Sequence, residues 1–459
     1  MAHVLLLLLL TACGRDPQPA DSGLPEGAWL PGGVAGTNTL LGGANSFIMP
    51  MPGLTAEHEG MFYSGNGYFN QSWVEAPSST AARDGLGPLF NARSCSACHF
   101  KDGRAAPPED GQAPFGGVLL RVSRDGPSGA EPDPAYGFQI QDVASPGVQP
   151  EFLPRVTWET LEGSFPDGER FELTAPTYHL DQPAHGAPDP SMRVSPRVAV
   201  QVIGLALLEA IPEARLEALA DPDDVDADGI SGRMPWTTSL VDGETVAGRF
   251  GWKGEAASVV DQSAKAAAED LGLTSWVAPE DDCTPLQTDC LAQESGGEPE
   301  ISDRIFERLV LYTRALAVPA RRAADDPDVL AGQGHFTELG CVGCHVPQHE
   351  TGPFPPLPEL EGQEIHPYTD LLLHDMGPAL ADDRPIAAAS GSEWQTRPLW
   401  GIGLLEVVNG HTRLLHDGRA NGIEEAILWH GGEAEGPKAA FMALSRRERA
   451  QLVAFVSDL

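Results

Sequence analysis

The sequence predicts a mainly α protein of two domains, the first enlarged by long loops and a small β element. Three observations lead there. The pentapeptide Cys95-Ser96-Ala97-Cys98-His99 returns far along the chain as Cys341-Val342-Gly343-Cys344-His345, so one motif heads two separate regions. Apolar residues at helical spacing dominate the regular stretches, at 197–209, 213–220, 256–271 and 302–317. Strand-like alternation is confined to 117–122 and 170–173, enough for small hairpins.

From the N-terminus, Val4 to Leu10 is an apolar run ending at Leu10-Thr11-Ala12-Cys13, which reads as an export signal with a bacterial lipobox over 1–13. A plain signal peptide is the alternative, since Met1-Ala2-His3 carries no Lys or Arg. Residues 14–55 are rich in Gly, Pro and small polar types and read as a flexible tether. The first domain spans 56–325 and the second 326–459. The second closes with a helix whose Ser445 and Glu448 have the spacing of a capping box.

Composition narrows the function. Among 459 residues there are 66 Asp+Glu against 29 Lys+Arg, a net charge of -37, which argues against nucleic acid or anionic lipid as a partner. The apolar share of 41% suffices for globular cores, while 51 Gly and 41 Pro imply long irregular connections. Four of the seven cysteines sit in the pentapeptides, Cys13 ends the lipobox, and Cys283 and Cys290 remain to pair as a disulfide. That usage fits an oxidising compartment. The expected location is the periplasmic face of a bacterial envelope membrane, anchored through Cys13, or else the soluble periplasm.

C-x-x-C-H is the attachment signature of c-type haem: two thiols add to the vinyl groups and the His becomes an iron ligand. Two covalently bound haems are therefore expected, one through Cys95, Cys98 and His99, the other through Cys341, Cys344 and His345. A single pentapeptide could equally be a zinc half-site. With a short helix before the second pentapeptide and a helix at the chain end, 326–459 has the order of a small cytochrome c domain. There, Ile423, Ala426, Ile427 and His430 share one helical face, so His430 is a candidate sixth ligand of haem 2 iron. Met376 is the alternative, and His416 reads as structural. Separately, Asp224, Asp226 and Asp228 followed by Gly229 have the 1, 3, 5, 6 spacing of calcium loops, although position 12 is Pro235.

The blocks GQGHFTELGCVGCH, LLHDMG, TRPLWGIGL and LLHDGRANGIEEAILWHGGE, with DGLGPLFNARSCSACHFKDGR and GRFGWKGEAASVVDQSAKAAAEDLG upstream, resemble the di-haem oxidoreductases often called thiol oxidoreductase-like. These are relatives of the bacterial di-haem cytochrome c peroxidases, and the likeness covers about 56–459. The resemblance implies two cytochrome c-like haem domains, with peroxide reacting at haem 1 and haem 2 relaying electrons from an external donor. It also implies a bridging Trp, an orienting Gln ten residues later and then an acid. Trp252, Gln262 and Asp270 match these in turn, Asp270 two residues early, with Glu269 as the alternative acid.

Four departures follow. His430 stands where the peroxidases have Met, which implies a lower-potential bis-His centre. The gap from His99 to Gln262 is far longer here, and no His lies between His99 and His179. Haem 1 is then either permanently open or capped by His58, His179 or Met192. The relatives' calcium segment is matched by Thr396-Arg397-Pro398, but its Asn partner corresponds to Gly204. The expected activity is peroxide reduction. A non-catalytic electron carrier and an oxidase of an organic or protein substrate are the alternatives.

Overall fold

The computed structural model describes residues 27–40, 42–80, 82–127 and 129–459. The export signal and Cys13 lie outside the described residues. The latter half of the expected tether does not hang free: Phe47 and Met51 are buried in the main core, and Thr37-Asn38 pair in parallel with Val318-Pro319.

The expectation of a mainly α fold is corrected. Helix accounts for 28% of the chain and strand for 20%, spread over many small sheets. Among the helices are α1 Ala56–Asn70, α2 Cys95–Cys98, α3 Leu205–Glu209, α4 Val259–Leu271, α5 Asp303–Arg314, α6 Pro327–Glu338, α7 Ile423–Trp429, α8 Glu435–Ala443 and α9 Arg446–Asp458. The main β element consists of β1 Val118–Gly126, β2 Gly129–Glu131, β3 Gln139–Ile140, β4 Leu153–Ser164, β5 Arg170–Asp181 and β6 Arg193–Val198. β2, β3 and β6 all pair antiparallel with β1, and β4 and β5 form a separate twelve-pair hairpin from Leu153↔Asp181 to Ser164↔Arg170.

Two misreadings explain the excess of predicted helix. The stretch 197–209 divides at Gly204, whose φ of 69° breaks the expected run: strand β6 ends before it and α3 starts after it. In the sequence the hairpin shows strand character only at 170–173, because its faces do not alternate cleanly in polarity. Most of β4 beyond Val156 is exposed or half-exposed, so burial never imposed the usual pattern. Other elements follow the sequence signals: α4 and α5 lie within their predicted spans, and Ser445 and Glu448 make a reciprocal capping box.

One core holds the cavities in place. It joins Phe62, Leu207 and Tyr312 to Trp400, Leu405 and Trp429, crossing position 326 without interruption. A second cluster, packed around α6 and α9, includes Phe165 from the turn of the β4–β5 hairpin. There Arg449 bonds Asp167 and Glu169 and lies 3.8 Å from the Phe165 ring centroid, so the hairpin is latched onto the C-terminal helix.

Candidate functional site

Each pentapeptide opens into a cavity. The N-terminal one, of about 210 Å³, is lined by Cys95, Cys98 and His99 together with Trp252, Gln262, Glu269 and Asp270. The C-terminal one, of about 240 Å³, is lined by Cys341, Cys344 and His345 with Met376, His416 and His430. Val200, Gln201, Leu205, Trp252 and Arg397 line both, forming the partition between them.

Backbone carbonyls fix the imidazoles. His99 Nδ1 donates to the Val200 carbonyl at 2.6 Å, His345 Nδ1 to Tyr368 at 3.0 Å, and His430 Nδ1 to Ala426 at 2.7 Å. A ring that donates from Nδ1 keeps Nε2 as a lone-pair ligand, the arrangement expected of an iron-binding His. Burial also holds all three below the ordinary imidazole range, His345 at about 4, so they stay neutral near pH 7.

His430 sits just past α7, where Ile423, Ala426 and Ile427 line the same cavity, as their spacing predicts. Met376 lines it too, so both candidate sixth ligands share the wall. His416 stacks on Trp394 with ring centroids 3.8 Å apart. His374, which sequence reasoning passed over, is held between Asp370 Oδ2 at 2.8 Å and Glu433 Oε2 at 2.7 Å.

The N-terminal cavity differs in kind. Among the described residues, His99 is the one imidazole on its wall, and no methionine joins it. The three distant caps considered for haem 1 go elsewhere. His58 faces Glu359, His179 bonds Thr157, and Met192 packs against the β1 sheet cluster. Helix α4 instead presents Gln262 and Asp270 to the cavity, two turns apart on one face.

Burial pushes the Asp270 carboxyl up to about 7, with the Glu269 charge adding to the rise while the Gln139 amide at 2.8 Å opposes it. Glu269, the alternative acid, is committed to a two-pronged ion pair with Arg121. Asp270 is thus the carboxyl able to carry a proton at neutral pH. Gln139 and Arg121 had no signal near α4 in the sequence, because strands β3 and β1 bring them there.

Trp252 stands in the partition, its indole donating to the Val198 carbonyl at 2.9 Å. Two guanidiniums flank it, Arg104 at 5.3 Å and Arg397 at 5.9 Å from the ring centroid. Neither forms an ion pair among the described residues. Both rest chiefly on backbone carbonyls, and burial lowers Arg104 to about 9 and Arg397 to about 10. Buried cations without anions are costly. Two thiols and a neutral imidazole per cavity, with unpaired cations at the partition, fit a carboxylate-bearing porphyrin on each side.

The acidic loop is reorganised relative to expectation. Asp221, Asp224 and Asp226 bring carboxylate oxygens within 4.8 Å of one another, whereas Asp228 turns to cap the Ile230 amide at 2.8 Å. Asp224 and Asp226 of the predicted set belong to this cluster, and Asp228 lies beside it. Gly204, which corresponds to the relatives' Asn, packs closely on Trp400: a Cβ there would lie 2.4 Å from its ring. Cys283 and Cys290 form the expected disulfide.

No match was found among curated proteins or among solved structures. One family model, described as "Di-haem oxidoreductase, putative peroxidase", matches residues 31–123 and 158–459. With most of its length matched and a paired-cavity site of this composition, the chain belongs to the di-haem oxidoreductase family.

Proposed function

We propose that this chain is an exported di-haem c-type peroxidase that reduces hydrogen peroxide with electrons from an external donor. The observation that supports it most is the contrast in ligands. The C-terminal cavity offers imidazoles from His345 and His430, while the N-terminal cavity offers His99 alone and sets an amide and a protonatable carboxyl on its wall. Each haem is attached through its pair of thiols, Cys95 and Cys98 or Cys341 and Cys344.

Bound haem supplies a coordination position for peroxide at the N-terminal site and one-electron redox steps at both. The residues supply the rest. Gln262 orients peroxide through its amide, and Asp270 donates a proton as the O–O bond breaks. His345 and His430 would both hold the second iron, which would then serve in electron transfer without binding substrate. Trp252 shortens the electron path across the partition. The reaction balances as H2O2 with two protons and two electrons giving two waters. The net charge of -37 suits a cationic donor protein, and Cys13 supplies a lipid anchor at the periplasmic face.

Electron paramagnetic resonance of the purified ferric protein, followed by peroxide addition, tests this reading. One high-spin and one low-spin iron, with the high-spin signal consumed by peroxide, is the expected result. Two low-spin irons inert to peroxide would make the chain an electron carrier. An open iron that ignores peroxide yet turns over an organic substrate would make it an oxidase.

A further inference from the structure

Behind Asp270 lies a buried cluster of acids and amides that the proposed mechanism does not use. Much of it comes from 124–157, the stretch left uncovered by the family match. Gln139 Nε2 donates to Asp270 Oδ1 at 2.8 Å and to the Glu269 carbonyl at 3.0 Å. Gln141 Nε2 donates to that same carbonyl at 3.2 Å and to Asp282 Oδ2 at 2.6 Å. One carbonyl and two amides therefore separate a carboxyl on the cavity wall from a second carboxyl in the 280–290 loop. That loop is closed by the Cys283–Cys290 disulfide, and its Glu280 and Asp281 are exposed to solvent.

We propose that Asp270 and Asp282 hold protons as one coupled pair, with Asp282 a positioning residue that keeps the cavity-facing acid protonated. The inference rests on the peroxidase reading for its purpose but not for its physics. Glu269 and Arg121 face both carboxyls. Glu151 borders the pair through Gln141, and Asp142 through Asn91. Both members sit at about 7, raised first by burial and then by Glu269, and the Asp270 charge raises Asp282 further.

Two carboxyls of matched affinity that repel when both are ionised lose their protons in two separated steps. Removing the first proton makes the pair hold the second more firmly, so one proton persists above neutrality. Each peroxide needs two protons. Asp270 gives one to the breaking O–O bond and takes its replacement from solvent, which also supplies the second proton, while Asp282 acts on Asp270 through its charge alone. The external donor supplies both electrons.

The test uses the full haem-loaded chain and infrared difference titration with isotope-labelled aspartate. Asp282→Asn should move the Asp270 titration down by about one pH unit. Asp270→Asn should move the Asp282 titration down by the same amount, because coupling is reciprocal. In Asp282→Asn the alkaline limb of peroxide-driven donor oxidation should fall about one pH unit earlier, a tenfold loss at fixed pH on that limb. Asp282→Glu should restore it. Titrations that ignore one another overturn the pair, whether or not the wild type reacts with peroxide. Reciprocal shifts in a protein inert to peroxide would sustain the pair and end the peroxidase reading. Should Asp282→Asn misfold, the Asp270→Asn arm decides alone.

Discussion

The two cavities start from the same five-residue pattern and end with opposite surroundings. In the C-terminal cavity His430, just past α7, joins His345 on the wall together with Ile423, Ala426 and Ile427. In the N-terminal cavity α4 brings Gln262, Glu269 and Asp270 to the wall that His99 also lines, and no second imidazole joins them among the described residues. The pentapeptide is thus a local pattern common to both cavities, whereas the other side chains on each wall come from distant segments: a further imidazole in one, an amide and a carboxyl raised by burial to about 7 in the other.

The comparison breaks most completely at the cysteines. Cys98→Ala and Cys344→Ala should each remove one haem's worth of covalent haem staining from denatured protein, and retention of both in either variant would end the attachment assignment. Next in size is Asp270→Asn, which should slow peroxide-driven donor oxidation by about 10²–10⁴-fold while both haems stay bound. A fully active variant would remove the acid role.

His430→Ala should turn the C-terminal centre from low-spin to high-spin and leave the N-terminal one unchanged, whereas Met376→Ala should alter neither. The reverse outcome would transfer the sixth ligand to Met376.

A milder effect is expected from pH. Asp270 is useful only while protonated and sits at about 7, so the rate should hold below that value and decline above it. The same sign applies to stability. A carboxyl raised from 3.8 to about 7 favours the folded state fully below its unfolded value, and that contribution is lost as pH rises through 7. A pH–rate profile with no alkaline limb near 7 would detach the chemistry from Asp270.

Smallest of all is the hairpin latch. Arg449→Ala should cost about 1–2 kcal/mol in denaturant unfolding, since Asp167 and Glu169 are partly solvated and the Phe165 contact adds little more. An unchanged midpoint would mean the hairpin is held by its apolar contacts alone.

Sequence alone determined what depends on near neighbours. The pentapeptides, the His430 stripe, the capping box at Ser445 and the spacing of Gln262 and Asp270 on α4 all rest on offsets of a few residues within one element. Backbone geometry converts such offsets directly into a shared face. Tertiary structure alone decided how two adjacent acids differ in their partners. Glu269 and Asp270 are adjacent and nearly equivalent in the sequence, yet Arg121 from β1 takes the first and Gln139 from β3 holds the second. The fold class was lost for the same reason. The pairing of β1 with β6 and the β4–β5 hairpin depend on partners far along the chain and on half-exposed faces, where burial leaves little alternation to read. A residue's offset is written in the chain, but its charge state and strand partner are set by what distant segments bring beside it.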